Sequence, residues 1–185
     1  MKKSNLILFG ALGAILIFTL AFQLTTHRYI KEEDRKRATA TRVTKERTIT
    51  PFKGISTVAP IKIILVQDSL QEIQVEAPNY LIDSIKTLVK NDTLSIETSN
   101  DIRKRDSVKV HVTLRTLEHL QLGSYSVVES KDTIVGNELN LQLKGHSAAQ
   151  LLLKYERMNY GNTSDGLVDI AGDIKNIKIV NIQKE

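Results

Sequence analysis

Four short segments in the C-terminal part of the chain follow one pattern, and a chain that repeats at this spacing has few ways to hide its apolar side chains. Leu120-Gln-Leu-Gly-Ser-Tyr-Ser126 aligns with Leu141-Gln-Leu-Lys-Gly-His-Ser147, with Met158-Asn-Tyr-Gly-Asn-Thr-Ser164 and, more weakly, with Ile177-Lys-Ile-Val-Asn-Ile-Gln183; the starts lie 21, 17 and 19 residues apart. Each segment offers an apolar-x-apolar strand followed by a small or polar turn. One such unit cannot bury its own apolar side, whereas stacked neighbours make a continuous core. A spacing near 20 that varies by a few residues predicts coils of a β-solenoid, with loops that differ between rungs. The competing arrangement is an antiparallel meander of similar hairpins.

Upstream, apolar residues recur at every second position, which puts them on one face of a strand. Ile61, Ile63 and Leu65 alternate with Lys62, Ile64 and Val66; Ile73, Val75 and Ala77 alternate with Gln74 and Glu76. Thr93-Leu-Ser-Ile-Glu97 and the run Val108, Val110, Val112, Leu114 continue the pattern. Between them, Leu81, Ile82, Ile85, Leu88 and Val89 repeat at threes and fours after Pro78 and Asn79, which predicts one short helix lying on the sheet. Lys90-Asn91-Asp92 reads as the turn that follows it.

The N-terminal region is of a different kind. Leu6 to Phe22 is seventeen residues without a charge. Helical, and lengthened by uncharged flanks, it reaches the thickness of a bilayer core. It is expected to be a transmembrane anchor over residues 1–24, with the lipid bilayer as its partner; a cleaved leader is the alternative, since Lys2 and Lys3 precede it. Residues 25–50 then form a charged tether, with Glu32–Lys36 and Glu33–Arg37 spaced for helical pairing, and residues 51–185 form one β-rich domain. The expected location is the bacterial cytoplasmic membrane, single-pass, with the domain on the periplasmic side. Basic flanks on both sides of the segment leave the orientation open.

Net charge excludes one function class. From Met1 to Thr50 ten Lys or Arg face four Asp or Glu, net +6, and from Pro51 to Glu185 sixteen face seventeen, net −1. The basic pI belongs to the N-terminal region and gives the domain no polyanion surface, so no nucleic acid partner is expected. The absence of cysteine removes disulfides, thiolate metal sites and cysteine nucleophiles.

The segments Phe52-Lys-Gly-Ile-Ser-Thr-Val-Ala-Pro-Ile-Lys-Ile-Ile-Leu-Val-Gln, Leu81-Ile-Asp-Ser-Ile-Lys-Thr-Leu-Val and Asp92-Thr-Leu-Ser-Ile, together with the repeated strand-turn units, resemble the head GIN domain of auto-transporter adhesins over about Phe52 to Gln183. The resemblance implies an exported right-handed parallel β-helix, or a related β-sheet domain, with no catalytic signature. Its turns depart from the small-residue turns of the family, being Gly123-Ser-Tyr-Ser, Gly145-His-Ser and Gly161-Asn-Thr-Ser-Asp-Gly.

Catalytic constellations are sparse. Gly145-His146-Ser147-Ala148-Ala149 falls one residue short of a G-x-S-x-G nucleophile elbow, and neither a following helix nor a later histidine accompanies it. Asp165, Asp169 and Asp173 invite a calcium or glycosidase reading, but Gly166 and Gly172 interrupt them and the chain has no Trp platform. His27, His111, His119 and His146 lack close metal-ligand spacing. No catalytic, cofactor-binding or metal residue is expected. The sequence points to a membrane-anchored, non-catalytic solenoid that binds an envelope protein or glycan. The alternative is a carbohydrate-binding or carbohydrate-active protein using the Asp165 to Asp173 region.

Overall fold

Strands form where the alternation predicts them, and the computed structural model shows how they join. It describes residues 12–26, 35, 39–99, 102–103 and 106–180. The chain divides into two compact units, Met1–Ala40 and Thr41–Glu185.

In the first unit residues 12–26 are helical, and the hydroxyls of Thr19, Thr25 and Thr26 donate back to Ile15, Ala21 and Phe22 carbonyls at 2.8–3.1 Å. At about 1.5 Å per residue the described part of this helix covers roughly 22 Å, against a hydrocarbon core of about 30 Å. No helix among the described residues is long and apolar enough to cross a membrane. That corrects the expected single-pass placement in the cytoplasmic membrane. Leu6 to Ala11, the first part of the expected span, lie outside the described residues.

The second unit is mainly β. Its strands are β1 (Arg42–Arg47), β2 (Gly54–Thr57), β3 (Lys62–Gln67), β4 (Glu72–Pro78), β5 (Ile85–Lys90), β6 (Thr93–Thr98), β7 (Lys109–Leu114), β8 (His119–Leu122), β9 (Val127–Ser130), β10 (Ile134–Leu143), β11 (Ala148–Asn162) and β12 (Val168–Ile179). All twelve join one sheet in the order β1-β4-β7-β3-β9-β11-β10-β8-β2-β6-β5, with β12 on β11.

Two runs of parallel ladders make up most of it. In the first, Leu94, Ile55, Leu120, Leu141, Tyr160 and Ile179 are successive cross-strand partners. In the second, Val110, Ile63, Val128, Ala149 and Val168 are. These columns point inward, and from Leu94 to Leu141 and from Val110 to Ala149 every member is at most 2% exposed. β6 and β7 slot in beside β2 and β3 although they follow them in the chain, so stacking order differs from chain order. Antiparallel strands close this first end: β4 pairs with β7 and β1, and β5 with β6. Gln67 extends the pairing with its side chain. Its amide accepts from the Val135 N–H at 2.8 Å and donates to the Val135 carbonyl at 2.9 Å, as a neighbouring strand's peptide would.

The structure alters three expectations. The first repeat spacing holds, since Leu141 lies opposite Leu120, but Met158 lies opposite Leu139, so the second spacing is 19 residues and not 17. A two-residue slip leaves every side chain on its own face, so alternation alone cannot detect it. The expected helix over Leu81 to Val89 is instead a turn followed by β5. The Pro78 carbonyl accepts from Leu81 and Ile82 N–H groups at 2.9 and 3.1 Å, and Ser84 Oγ donates to the Leu81 carbonyl at 2.7 Å, ending the coil after one turn. Beyond it Asn91 and Asp92 take φ of 50° and 55°, the left-handed pair that a two-residue hairpin requires, and this hairpin holds Lys86 to Val89 against β6. Finally, Arg42–Arg47, expected to be polar spacer, pairs along its whole length with β4.

Candidate functional site

Where the chain passes from one parallel run to the other it turns a corner, and the corners of neighbouring strand-turn units are themselves hydrogen-bonded. The N–H groups of Lys144, His146 and Ala148 donate to the carbonyls of Leu122, Ser124 and Ser126 at 2.8–2.9 Å, and Asp165 N–H donates to the Gly145 carbonyl at 3.0 Å. Ser124 and Gly145, at matching positions, both adopt left-handed backbone with φ of 56° and 67°. Register therefore persists through the turns.

Outward-pointing residues at equivalent places then form a ladder. Tyr125 and His146 stack with ring centroids 4.5 Å apart and planes 22° apart. His146 Nδ1 lies 2.6 Å from Asp165 Oδ1, which fixes the imidazole and leaves Nε2 directed elsewhere. All three side chains are exposed, Tyr125 by 61%. Just inside them Ser126 and Ser147 are fully buried. Ser126 Oγ donates to the Gly123 carbonyl at 2.7 Å, while Ser147 Oγ has no hydrogen-bond partner among the described residues. In the next strand-turn unit the equivalent place holds Gly166, where a Cβ would collide with the Ser147 carbonyl.

The ladder borders a cleft of about 700 Å³ whose lining includes Pro60, Ile61, Val108, Val127, Tyr125 and His146. Apolar side chains thus adjoin hydroxyl and imidazole groups. Lys62, also in the lining, pairs through Nζ with Glu129 at 2.7 Å. The outer face of the first parallel run presents hydrogen-bonding groups in columns, Ser95, Ser56, Gln121, Gln142 in one and Thr93, His119, Asn140, Asn159 in another, with Gly54 between Thr93 and His119.

Ser147 is enclosed and followed by strand β11, so the strand-to-helix geometry of a nucleophile elbow does not occur there. Asp165 sits in a turn and is drawn to His146. Asp169 and Asp173 lie on β12, separated by Gly172 at φ 117°, and the three carboxylates do not converge. Among the described residues no three His, Asp or Glu side chains gather as a metal site would need. The Tyr125–His146–Asp165 column was hidden by the spacing of 17, which sets Thr163 where Asp165 belongs. Aligning Leu139-Asn-Leu with Met158-Asn-Tyr would have found it.

Fold and site together define a β protein of stacked parallel ladders with an exposed polar and aromatic corner. The chain belongs to the family described as "Putative auto-transporter adhesin, head GIN domain", which it matches over residues 51–184. Among solved structures, a "putative lipid binding protein" from Parabacteroides distasonis is similar with a TM-score of 0.60 and 16% identity, covering 76% of this chain and 67% of that one. An adhesin-labelled structure from Parabacteroides merdae gives 0.53 and 15%, covering 72% and 66%, and one from Bacteroides fragilis gives 0.50 and 12%, covering 77% and 97%. At these identities the likeness is one of fold. No curated protein matches the sequence.

Proposed function

We propose that this chain is a non-catalytic recognition module, a β-solenoid of adhesin type that binds a glycan at the corner formed by Tyr125, His146 and Asp165. The observation that carries this reading is the ladder beside an apolar cleft. Sugars are amphipathic, and a site that takes one offers an apolar surface next to oriented hydrogen-bonding groups. Pro60 and Val127 supply the surface; the Tyr125 hydroxyl, His146 Nε2 and the Asp165 carboxylate supply the polar groups. The parallel ladders at 19 to 21 residues support the solenoid reading, since each coil adds one turn to the same edge.

Binding of the full chain to a glycan array, followed by titration of the strongest hits, tests the reading. Tyr125→Ala and Asp165→Asn are expected to weaken binding by about tenfold or more, as loss of a central aromatic or of a charged hydrogen bond does. Lys86→Ala, on the outer face of β5, should leave it unchanged. Absence of glycan binding, or binding indifferent to both corner substitutions, overturns the reading. Saturable dodecanoate binding in place of glycan binding would reassign the cleft to lipid.

A further inference from the structure

The corner continues onto the strands that follow it. In each strand-turn unit three outward positions lie two residues apart: Tyr125, Val127 and Glu129 in one, His146, Ala148 and Gln150 in the second, Asp165, Leu167 and Asp169 in the third. Val127 pairs with Ala148 and Glu129 with Gln150, Gln150 pairs in turn with Asp169, and the Ala149 N–H donates to the Leu167 carbonyl at 3.0 Å. The positions therefore stand in three columns, with an apolar one, Val127, Ala148 and Leu167, between two polar ones. Among the described residues nothing covers the apolar column: Val127 is 37% exposed and Leu167 80%. Ala148, the smallest of the three, leaves a seat between them.

The pattern is bounded on both sides. Opposite Val127 on β3 stands Lys62, whose Nζ is held by Glu129, so a charge ends the apolar column there. On the far side β12 pairs only with β11, and no described strand extends the columns beyond Leu167. A ligand suited to this surface has an apolar middle and hydrogen-bonding groups along both edges, repeated at the strand spacing of about 4.8 Å. A β-1,4-linked chain of pyranoses with equatorial substituents is such a ribbon. Ring C–H groups form its faces, hydroxyls form its edges, and each ring advances by nearly the strand spacing. An α-1,4-linked chain coils and keeps neither property. A peptide adding as a strand needs a free edge, whereas β9 and the first part of β11 are paired on both sides. An acyl chain would leave both polar columns unused.

We propose that the three columns form a groove for three consecutive units of a β-1,4-linked glycan, its chain crossing the strands from Val127 over Ala148 to Leu167. The proposal rests on the glycan reading of the corner and gives that glycan a linkage, a direction and a length. Each ring lies over one member of the apolar column and turns its edges toward a polar group on either side. The wall of Tyr125, His146 and Asp165 is held by its own stack and hydrogen bond, so it meets the ligand already ordered. Glu129, Gln150 and Asp169 form the opposite wall.

Calorimetric titration of the full chain with β-1,4-linked oligomers of glucose and of N-acetylglucosamine, from the single sugar to the hexamer, tests this, with the α-1,4-linked glucose hexamer for comparison. At least one β-linked series is expected to bind, strengthening by about tenfold or more from one unit to three and by little beyond. The α-linked hexamer should bind at least about tenfold more weakly than its β-linked counterpart. Leu167→Ser, at an exposed position whose change should leave the melting temperature unaltered, is expected to remove most of the gain from the second unit to the third. Failure of both β-linked series, equal affinity for one unit and three, parity of the two linkages, or a gain untouched by Leu167→Ser overturns the groove. The corner reading survives any of these if another glycan binds and Tyr125→Ala weakens it. Failure of that reading shows differently, as no glycan binding on the array or binding indifferent to both Tyr125→Ala and Asp165→Asn.

Discussion

Gly172 shows how one residue fixes a corner. Its φ of 117° lies where a side chain is strained, and a Cβ added there would overlap the carbonyl of Leu153 in the neighbouring strand β11. Backbone must therefore move in two strands to admit even a methyl group. Gly172→Ala is expected to lower stability by about 2–4 kcal/mol, read as a reduced urea midpoint at unchanged m-value. At Gly13, by contrast, no atom of the described residues lies within 4 Å of its Cβ position, so Ala meets no clash there. The sequence marks Gly172 only as an interruption between Asp169 and Asp173. The carbonyl that excludes a side chain there belongs to a residue 19 positions earlier, and no local pattern reveals it.

At the scale of elements, β1, β4 and β7 form an antiparallel clasp whose charges meet at Glu76. Arg42 of β1 donates to its carboxylate, and Lys109 Nζ of β7 lies 3.8 Å away. The hydrogen bond from Arg42, followed by the nearby charges of Lys109, Arg42 and His111, holds the Glu76 carboxyl below its usual range against the opposing effect of burial. Lowered in the folded state, this group contributes stability that is complete above its unfolded value and is lost as pH falls through the folded one. Acid should therefore loosen the clasp, and Glu76→Gln should flatten the pH dependence of the melting temperature on the acid side while lowering it at neutral pH. The hairpin of β5 and β6 teaches the complementary lesson. Leu81, Ile82, Ile85, Leu88 and Val89 have helical spacing, but the left-handed pair Asn91-Asp92 and the available edge of β6 favour the strand, and Leu88 is left 64% exposed. Tertiary pairing overrode a local period.

For the whole molecule, the boundary of the folded unit lies at Thr41, ten residues before the family match begins. β1 contributes six paired residues and covers the edge of β4. A fragment beginning at residue 41 is expected to unfold as one cooperative transition, and one beginning at residue 51 to be weaker by on the order of 3 kcal/mol, from several edge hydrogen bonds at about 0.5–1.5 kcal/mol each less the ordering they require. Equilibrium urea unfolding of the two fragments measures the difference. Equal midpoints would make β1 an appendage of the fold.

The sequence by itself determined that Phe52 onward would be mainly β, which residues of the alternating strands would face inward, and that similar strand-turn units would lie side by side. Alternation and repetition are local properties, and burial of one face follows from them directly. Only the tertiary structure decided the order in which β6 and β7 slot beside β2 and β3, the recruitment of β1, and the 19-residue offset that brings Asp165 to His146. Each of these depends on which strand edge pairs with which. A period of two in the side chains leaves two-residue shifts and partner choice to be settled by backbone hydrogen bonding and packing.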